Sequence, residues 1–244
     1  EMSASLVGSE MCIRDRWYAC ACCPPNVARL VGSVGKYAYG EKDCTAYCHM
    51  FAAGKVDFSN GISLECRTDY PYGMSVKYDV TGSGRLAVRI PKWSRNYTLT
   101  ADGTEVTAAP ENGYVYVAVN GYTQVELLLD GTPRFVRASG RVPRLTGMTA
   151  LMRGPLVYCF EGADNGSVRE LRIDRGVIPA VEKFDPDFLG GTTRLTAKAY
   201  RAADCDDLYS SKPEELTPCE ATAIPYYAWG NRGENEMRVW LNVK

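Results

Sequence analysis

Hydrophobic and polar positions alternate along most of the chain, in short runs separated by Gly, Asn or Pro. Alternation with a period of two is typical of β-strands that bury one face. In the first half of the chain this pattern predicts strands at 46–51, 62–66, 74–80, 86–90, 97–100, 114–118 and 124–129. Short strands at this spacing favour a mainly β fold, an antiparallel sandwich of the jelly-roll type. Between two of these runs, the segment Gly82-Ser83-Gly84 predicts a hairpin turn.

A second β-rich block begins near Met148, with the same alternation. Its predicted strands lie at 150–160 (two strands and a turn), 195–201, 222–228 and 237–243. The boundary between the two blocks is predicted between Pro133 and Arg144. We therefore expect two β-sandwich domains of jelly-roll type, at residues 41–140 and 141–244.

Only one stretch ahead of these strands has a helical period. Val27, Leu30, Val31, Val34 and Tyr37 recur at the spacing of one helix face. Since Asn is a favourable N-cap and Gly a common helix stop, the helix is expected to begin after residue 26 and to end near residue 40. Its apolar face is expected to pack against a core.

The sequence directly before this helix is Cys20-Ala21-Cys22-Cys23-Pro24-Pro25. A thiolate is both a nucleophile and a soft metal ligand, and a helix N-terminus favours its charged form. The cluster therefore predicts a metal site, a reactive cysteine, or both. A structural zinc knuckle is a third interpretation, although the adjacency of Cys22 and Cys23 does not suit the usual two-apart spacing of such knuckles.

Composition narrows the possible functions. The 244 residues suffice for two modest domains, and a net charge of −1 gives no basic face for nucleic acid. No apolar run reaches the length of a bilayer span, so no membrane partner is expected. The ten cysteines are irregularly spaced and are interpreted as thiols of a reducing compartment, which predicts a cytoplasmic protein. The single histidine, His49, is expected to be structural or solvent-facing.

Residues 1–16 have no periodicity that continues into the helix. The run from Leu6 to Asp15 resembles the conceptual translation of a transposon-type sequencing adapter, an artefact of metagenome assembly. We therefore interpret residues 1–16 as a non-native segment and exclude them from the fold. On this hypothesis, the chain is the carboxyl-terminal part of a longer protein and lacks native sequence before Trp17.

Several motifs resemble, in order, those of glycoside hydrolase family 127, the β-L-arabinofuranosidases. These motifs are Cys20–Arg29, Val88–Trp93, Arg153–Tyr158, Asp164–Asn165, Ala223–Arg232 and Met237–Trp240. In that family an α/α toroid carries the active site, and two β-sandwich domains follow it. The resemblance implies that residues 17–40 are the last helix and the cysteine-rich loop of a truncated toroid.

The resemblance also implies roles for the cysteines. Cys22 would be the nucleophile and a ligand of Zn2+, Cys23 a second zinc ligand, and Cys20 a supporting residue beside them. The other zinc ligands of the family, a glutamate and a cysteine, and its acid/base glutamate lie upstream and are absent. The expected activity of the parent is release of L-arabinose, with retained configuration, from an arabinose-containing oligosaccharide or glycoconjugate. With the zinc site incomplete, this fragment is expected to be inactive alone.

An alternative from another class is a non-catalytic carbohydrate-binding or scaffolding β-sandwich protein, which the β content and the aromatic residues would also fit. Three residues that could indicate sugar binding or catalysis are given structural interpretations instead. Trp93 follows a strand end and is expected to pack rather than to serve as a sugar platform. Glu161 and Asp164 have the spacing of a carboxylate pair, but they are interpreted as loop and turn residues.

Overall fold

The structure, a computed structural model, describes residues 23–203 and 209–244. A helix that could cross a membrane is not found among them. The chain divides into two compact units. The first unit comprises the described residues up to Gly131, and the second comprises those from Thr132 to Lys244.

The predicted helix is present as two helices, α1 (Cys23–Ser33) and α2 (Gly35–Ala38). The predicted cap at Asn26 is wrong, because α1 already includes Cys23 and the Asn26 side chain accepts a hydrogen bond from Arg29 inside the helix. The predicted stop at Gly40 is also wrong, since this residue lies in the first strand. The interruption at Val34 falls between two glycines, which are poor helix formers.

The first unit contains one mixed sheet. Its strands are β1 (Tyr39–Lys42), β2 (Thr45–Cys48), β3 (Gly54–Asp57), β4 (Ser63–Thr68), β5 (Ser75–Arg89), β6 (Tyr97–Ala101), β7 (Thr104–Glu105) and β8 (Tyr114–Leu129). The main order is β1-β2-β5-β8-β6-β7, and the β3–β4 hairpin joins through β4, which pairs with β5. All pairings are antiparallel except that of β2 with β5, which is parallel.

The predicted hairpin turn at 82–84 is wrong, because these residues lie in the middle of β5. A side chain at Gly84 would collide with the carbonyl oxygen of Cys44, and a Cβ at Gly82 would lie 2.6 Å from the carbonyl oxygen of Gly61. Close approach of the neighbouring backbone therefore requires glycine at both positions. The φ angle is +129° at Gly82 and +150° at Gly84, in a region that favours glycine. β4 pairs with β5 before these glycines and β2 pairs with it after them, so both strands use one edge of β5.

β5 and β8 pair along their full lengths, with Gly82 opposite Gly121. Four predicted strands therefore merge into two long ones. The predicted strands 74–80 and 86–90 are parts of β5, and those at 114–118 and 124–129 are parts of β8. Alternate residues of both strands are buried in one core. The largest fully buried side chains of this core are those of Tyr78, Ile62, Leu86, Leu99 and Leu127.

The second unit contains the other mixed sheet. Its elements are β9 (Arg134–Val136), β10 (Met148–Arg153), β11 (Leu156–Glu161), the short helix α3 (Gly162–Asn165), β12 (Leu171–Ile173), β13 (Ala180–Val181), β14 (Leu195–Ala202), β15 (Leu216–Pro225), β16 (Met237–Arg238) and β17 (Leu241–Val243). The order is β16-β11-β15-β14-β12-β17-β10-β9, with β13 beside β14. β12 and β17 form its parallel pair.

The mainly β fold in two units is confirmed, with two differences from the predicted fold. Each sheet contains one parallel pairing, so neither is antiparallel throughout. The second unit begins earlier than residue 141, since residues 134–136 form a strand that pairs with β10.

Candidate functional site

The cysteine-rich turn is described only in part. Cys20 and Cys22 lie outside the described residues, as do residues 1–16. Cys23 is the first residue of α1, and it is exposed. The structure therefore places one of the predicted zinc ligands, Cys23, in a helix.

The residues present offer zinc suitable donor chemistry but not a complete site. Thiolates are preferred zinc ligands, and a structural or catalytic zinc normally takes three or four protein ligands. Within residues 23–203 and 209–244, no group of three or more His, Cys, Asp or Glu side chains could hold a metal ion. Any zinc held by Cys23 would thus require ligands from outside the described part of the chain.

The apolar face of the two helices is exposed, which contradicts the expectation that it packs on a core. Val27, Leu30 and Val31 are 60%, 58% and 68% exposed, and Val34 and Tyr37 are also exposed. In α1, no residue is buried. A contiguous apolar face of this kind is typical of a surface that another protein element covers.

Glu161 and Asp164 form a structural ion cluster with Arg232. Glu161 is 1% exposed, and its carboxylate accepts hydrogen bonds from Arg232 Nε at 2.9 Å, from Arg232 Nη2 and from the backbone N–H of Gly230 at 2.8 Å. The Arg232 guanidinium also donates to both carboxylate oxygens of Asp164, at 2.7 and 2.6 Å. These two carboxylates, Asp164 first, raise the pKa of Arg232.

This cluster holds the loop after β15 against the end of β11. A carboxylate already saturated by a bidentate arginine and a backbone N–H is not poised to exchange protons with a substrate. Neither residue is a loop or turn residue as predicted, because Glu161 ends β11 and Asp164 lies in α3, and both carboxylates are engaged in ion pairs with Arg232. The sequence did not single out Arg232 as their partner, because the residues lie 71 and 68 positions apart.

A cleft of about 1040 Å³ opens on the first unit, and we call it the Trp93 cleft. Its lining residues are 49–52, Tyr70, 89–93 and 112–114. Trp93 is half-buried: it packs against the core, as predicted, and also lines the cleft. Tyr70, whose ring meets that of Phe51 edge to face at 5.0 Å, also lines the cleft.

His49 lies at the edge of this cleft in a fixed arrangement. Its Nδ1 is 2.8 Å from the hydroxyl oxygen of Tyr114, and its backbone N–H donates to the carbonyl of Ala38. Burial, and then the nearby Arg89 guanidinium, lower the pKa of His49. The ring is therefore mainly neutral at pH 7, and the predicted structural role is consistent with these contacts.

Two family models match consecutive segments of the chain. Residues 45–130 match the model of the β-L-arabinofuranosidase GH127 middle domain, and residues 133–242 match that of the glycoside hydrolase family 127 C-terminal domain. The chain belongs to glycoside hydrolase family 127.

Individual GH127 proteins resemble the chain over nearly all of it. The non-reducing end β-L-arabinofuranosidase of Bifidobacterium longum subsp. longum is 41% identical over 247 residues, which cover 93% of this chain and 38% of that enzyme. The crystal structure of a GH127 β-L-arabinofuranosidase from Geobacillus stearothermophilus T6 matches with a TM-score of 0.87 and 33% identity, over 94% of this chain and 38% of that one. Another GH127 β-arabinofuranosidase structure matches with a TM-score of 0.83 and 29% identity, over 93% of this chain and 39% of that one.

The GH127 matches follow the division of the structure. The middle-domain match lies within the first unit and contains the Trp93 cleft, and the C-terminal match lies within the second unit and contains the Arg232 cluster. The helices α1 and α2, with Cys23, precede both matches. The chain thus spans less than half the length of the GH127 proteins that it resembles.

The cysteines of this GH127 chain differ in accessibility, which gives a testable prediction. Cys44 is exposed, whereas Cys159 is buried beside Ile224, and burial followed by the nearby Glu161 raises the pKa of Cys159 to about 12. At about pH 8 a neutral alkylating reagent should modify Cys44 in the native chain and leave Cys159 unmodified until the second unit unfolds, because only a reachable thiolate reacts.

Peptide mass spectrometry against reaction time measures this order, and a denatured sample serves as the control in which both thiols react. Raising the pH to about 9 should not change the order, since a thiol with so high a pKa remains protonated there. Equal rates for Cys44 and Cys159 in the native chain would contradict the described burial.

Proposed function

We propose that this chain is part of a longer retaining glycoside hydrolase that releases L-arabinose from non-reducing-end β-L-arabinofuranosides. The observation that carries the proposal is the pair of consecutive GH127 domain matches, together with 41% identity to an enzyme named for that activity. Membership of a hydrolase family favours this function over a purely scaffolding sandwich. Most of the catalytic domain is assigned to the part of the longer protein that this chain lacks, and residues 17–40 are assigned to its end.

Cys22 is proposed as the nucleophile of this reaction. Its sulfur would attack the anomeric carbon as the bond to the leaving-group oxygen breaks, and an acid outside this chain would supply the proton to that oxygen. Water would then cleave the carbon–sulfur bond of the resulting thioglycosyl cysteine. Two displacements at one carbon return the original configuration.

Cys22 and Cys23 are the residues of this chain proposed to hold a zinc ion, with Cys20 in support. A bound zinc supplies deprotonation, because a coordinated thiol is held as the thiolate. Two ligands cannot complete a tetrahedral site. The chain alone is therefore expected to bind zinc weakly and to hydrolyse nothing.

The test compares the longer protein with this chain on an aryl β-L-arabinofuranoside. We expect the longer protein to release the aryl alcohol, with β-L-arabinofuranose as the first sugar seen by proton NMR, before the anomers equilibrate. The isolated chain, at the same concentration and with added zinc, should show no release above background. Release of the α anomer first would contradict the two-displacement scheme, and hydrolysis by the isolated chain would contradict the assignment of the missing groups upstream.

A further inference from the structure

The Trp93 cleft continues onto an aromatic face of the first unit. In the β5–β8 register, Arg89 pairs with Tyr114, and Ala87 pairs with Tyr116. Ala87 also pairs with Tyr47 on β2. Because residues two apart in a strand share a face, these side chains lie together on the face of the sheet opposite the neighbouring Val88. The rings of Tyr47 and Tyr114 meet edge to face at 5.6 Å.

The cleft is held in shape by contacts within the first unit. His49 is anchored through Tyr114, and the Arg89 guanidinium donates to the carbonyl oxygen of His49 at 3.2 Å. The backbone N–H of Ile90 donates to the carbonyl of Gly113 at 2.8 Å, and Trp93 rests on the core. A preformed concave site loses little conformational freedom when a ligand binds.

The chemistry of the lining is that of a site for a polyhydroxylated ring. Aromatic surface comes from Trp93 and Tyr70, and hydrogen-bond donors come from Arg89, Lys92 and Asn112. The lining contains no carboxylate, and Arg89 and Lys92 form no ion pair among the described residues. Arg89 Nη1 donates to the carbonyl oxygen of His49, which leaves its other N–H groups and the Lys92 ammonium to donate to a ligand's oxygen atoms. A sugar offers weakly polarised C–H groups to an aromatic face and oxygen acceptors along its rim.

We propose that the Trp93 cleft, which is lined by residues of the first unit, binds an arabinofuranosyl-containing carbohydrate chain. The assignment of arabinose rests on the proposed function, which makes that sugar the substrate class of the longer protein. One sugar ring lies against Trp93, and the Arg89 guanidinium donates to its oxygen atoms. The cleft then holds a branch of the polymer whose ends the enzyme removes.

The test is titration of the 244-residue chain with an arabinofuranosyl oligosaccharide, followed through the tryptophan indole N–H signals in 15N NMR spectra. The chain has four tryptophans, and the Trp93 signal is assigned from its loss in Trp93→Phe. We expect this signal to shift with the sugar, and Arg89→Ala to weaken binding by about tenfold or more. Arg67→Ala is the matched control, since Arg67 is an exposed arginine of the same unit, on β4, and does not line the cleft.

The absence of a Trp93 shift at up to about 10 mM sugar would overturn the proposal, as would equal weakening by the two arginine variants. Preserved dispersion in the spectra of each variant shows that its fold is intact. The proposed hydrolytic function is tested separately, on the unmodified longer protein. If the longer protein hydrolyses the substrate but this chain does not bind the oligosaccharide, the cleft proposal alone is contradicted. If this chain binds the oligosaccharide but the longer protein does not hydrolyse the substrate, the proposed function is contradicted and the cleft remains a sugar site.

Discussion

Arg232→Met is expected to destabilise the second unit by about 3–5 kcal/mol, the usual cost of leaving one partner of a buried ion pair uncompensated. Glu161 is 1% exposed, and its carboxylate would retain only the hydrogen bond from the Gly230 N–H. Methionine keeps the apolar bulk of the side chain, so the loss reports on charge and hydrogen bonding rather than on a cavity. Chemical denaturation followed by far-ultraviolet circular dichroism measures the free energy of unfolding.

Arg194→Met is the matched control for this prediction. Arg194 lies over the same Phe188 ring, at 4.8 Å against 5.3 Å for Arg232, but its ion pair with Glu182 is one-third exposed at both partners. Partly exposed ion pairs of this kind contribute about 0–1 kcal/mol. Equal losses in the two variants would contradict the described difference in burial.

The alternation of apolar and polar residues predicts the positions of many strands, but not which neighbouring segments form one continuous strand. The predicted strands at 97–100 and 195–201 form β6 and β14. Their prediction succeeds because a strand that buries one face alternates apolar and polar residues along the sequence. The glycines at 82 and 84 carry the same local signal as a turn. Pairing with β8 shows that they lie inside a strand, and the close approach of the Cys44 and Gly61 carbonyls explains why they are glycines.

Pairing between distant segments explains the other differences. The parallel contact of β2 with β5 uses the part of one β5 edge that β4 leaves unpaired, and no local sequence feature encodes that. The same is true of the Glu161–Arg232 cluster and of the row that joins Arg89 to Tyr114. In α1 the local signal is clear but the predicted contact is missing. Its periodicity predicts a buried face, yet no residue of the helix is buried.

The roles proposed for Cys22 and Cys23 depend on the family resemblance and not on the geometry of the structure. Three cysteines within four residues indicated reactive or metal-binding thiols, and the order of the later motifs indicated the family. The two GH127 matches confirm the family. The separate roles of Cys22 as nucleophile and Cys23 as ligand stay predictions, because the structure describes only Cys23.

Cys22→Ser in the longer protein is expected to reduce kcat/KM on an aryl β-L-arabinofuranoside by at least about a thousandfold, the scale of loss when a catalytic nucleophile is removed. A serine hydroxyl is a much weaker acid than a thiol and a poorer ligand for zinc, so it would supply neither the nucleophile nor its charge. Cys44→Ser is the matched control, because Cys44 is an exposed thiol of the first unit.

The kcat/KM of these two variants is the most direct test of Cys22 as the nucleophile, with zinc content measured on the same samples. We expect Cys44→Ser to keep the activity of the unmodified protein and Cys22→Ser to lose it. Undiminished hydrolysis by a correctly folded Cys22→Ser protein would contradict the proposed mechanism.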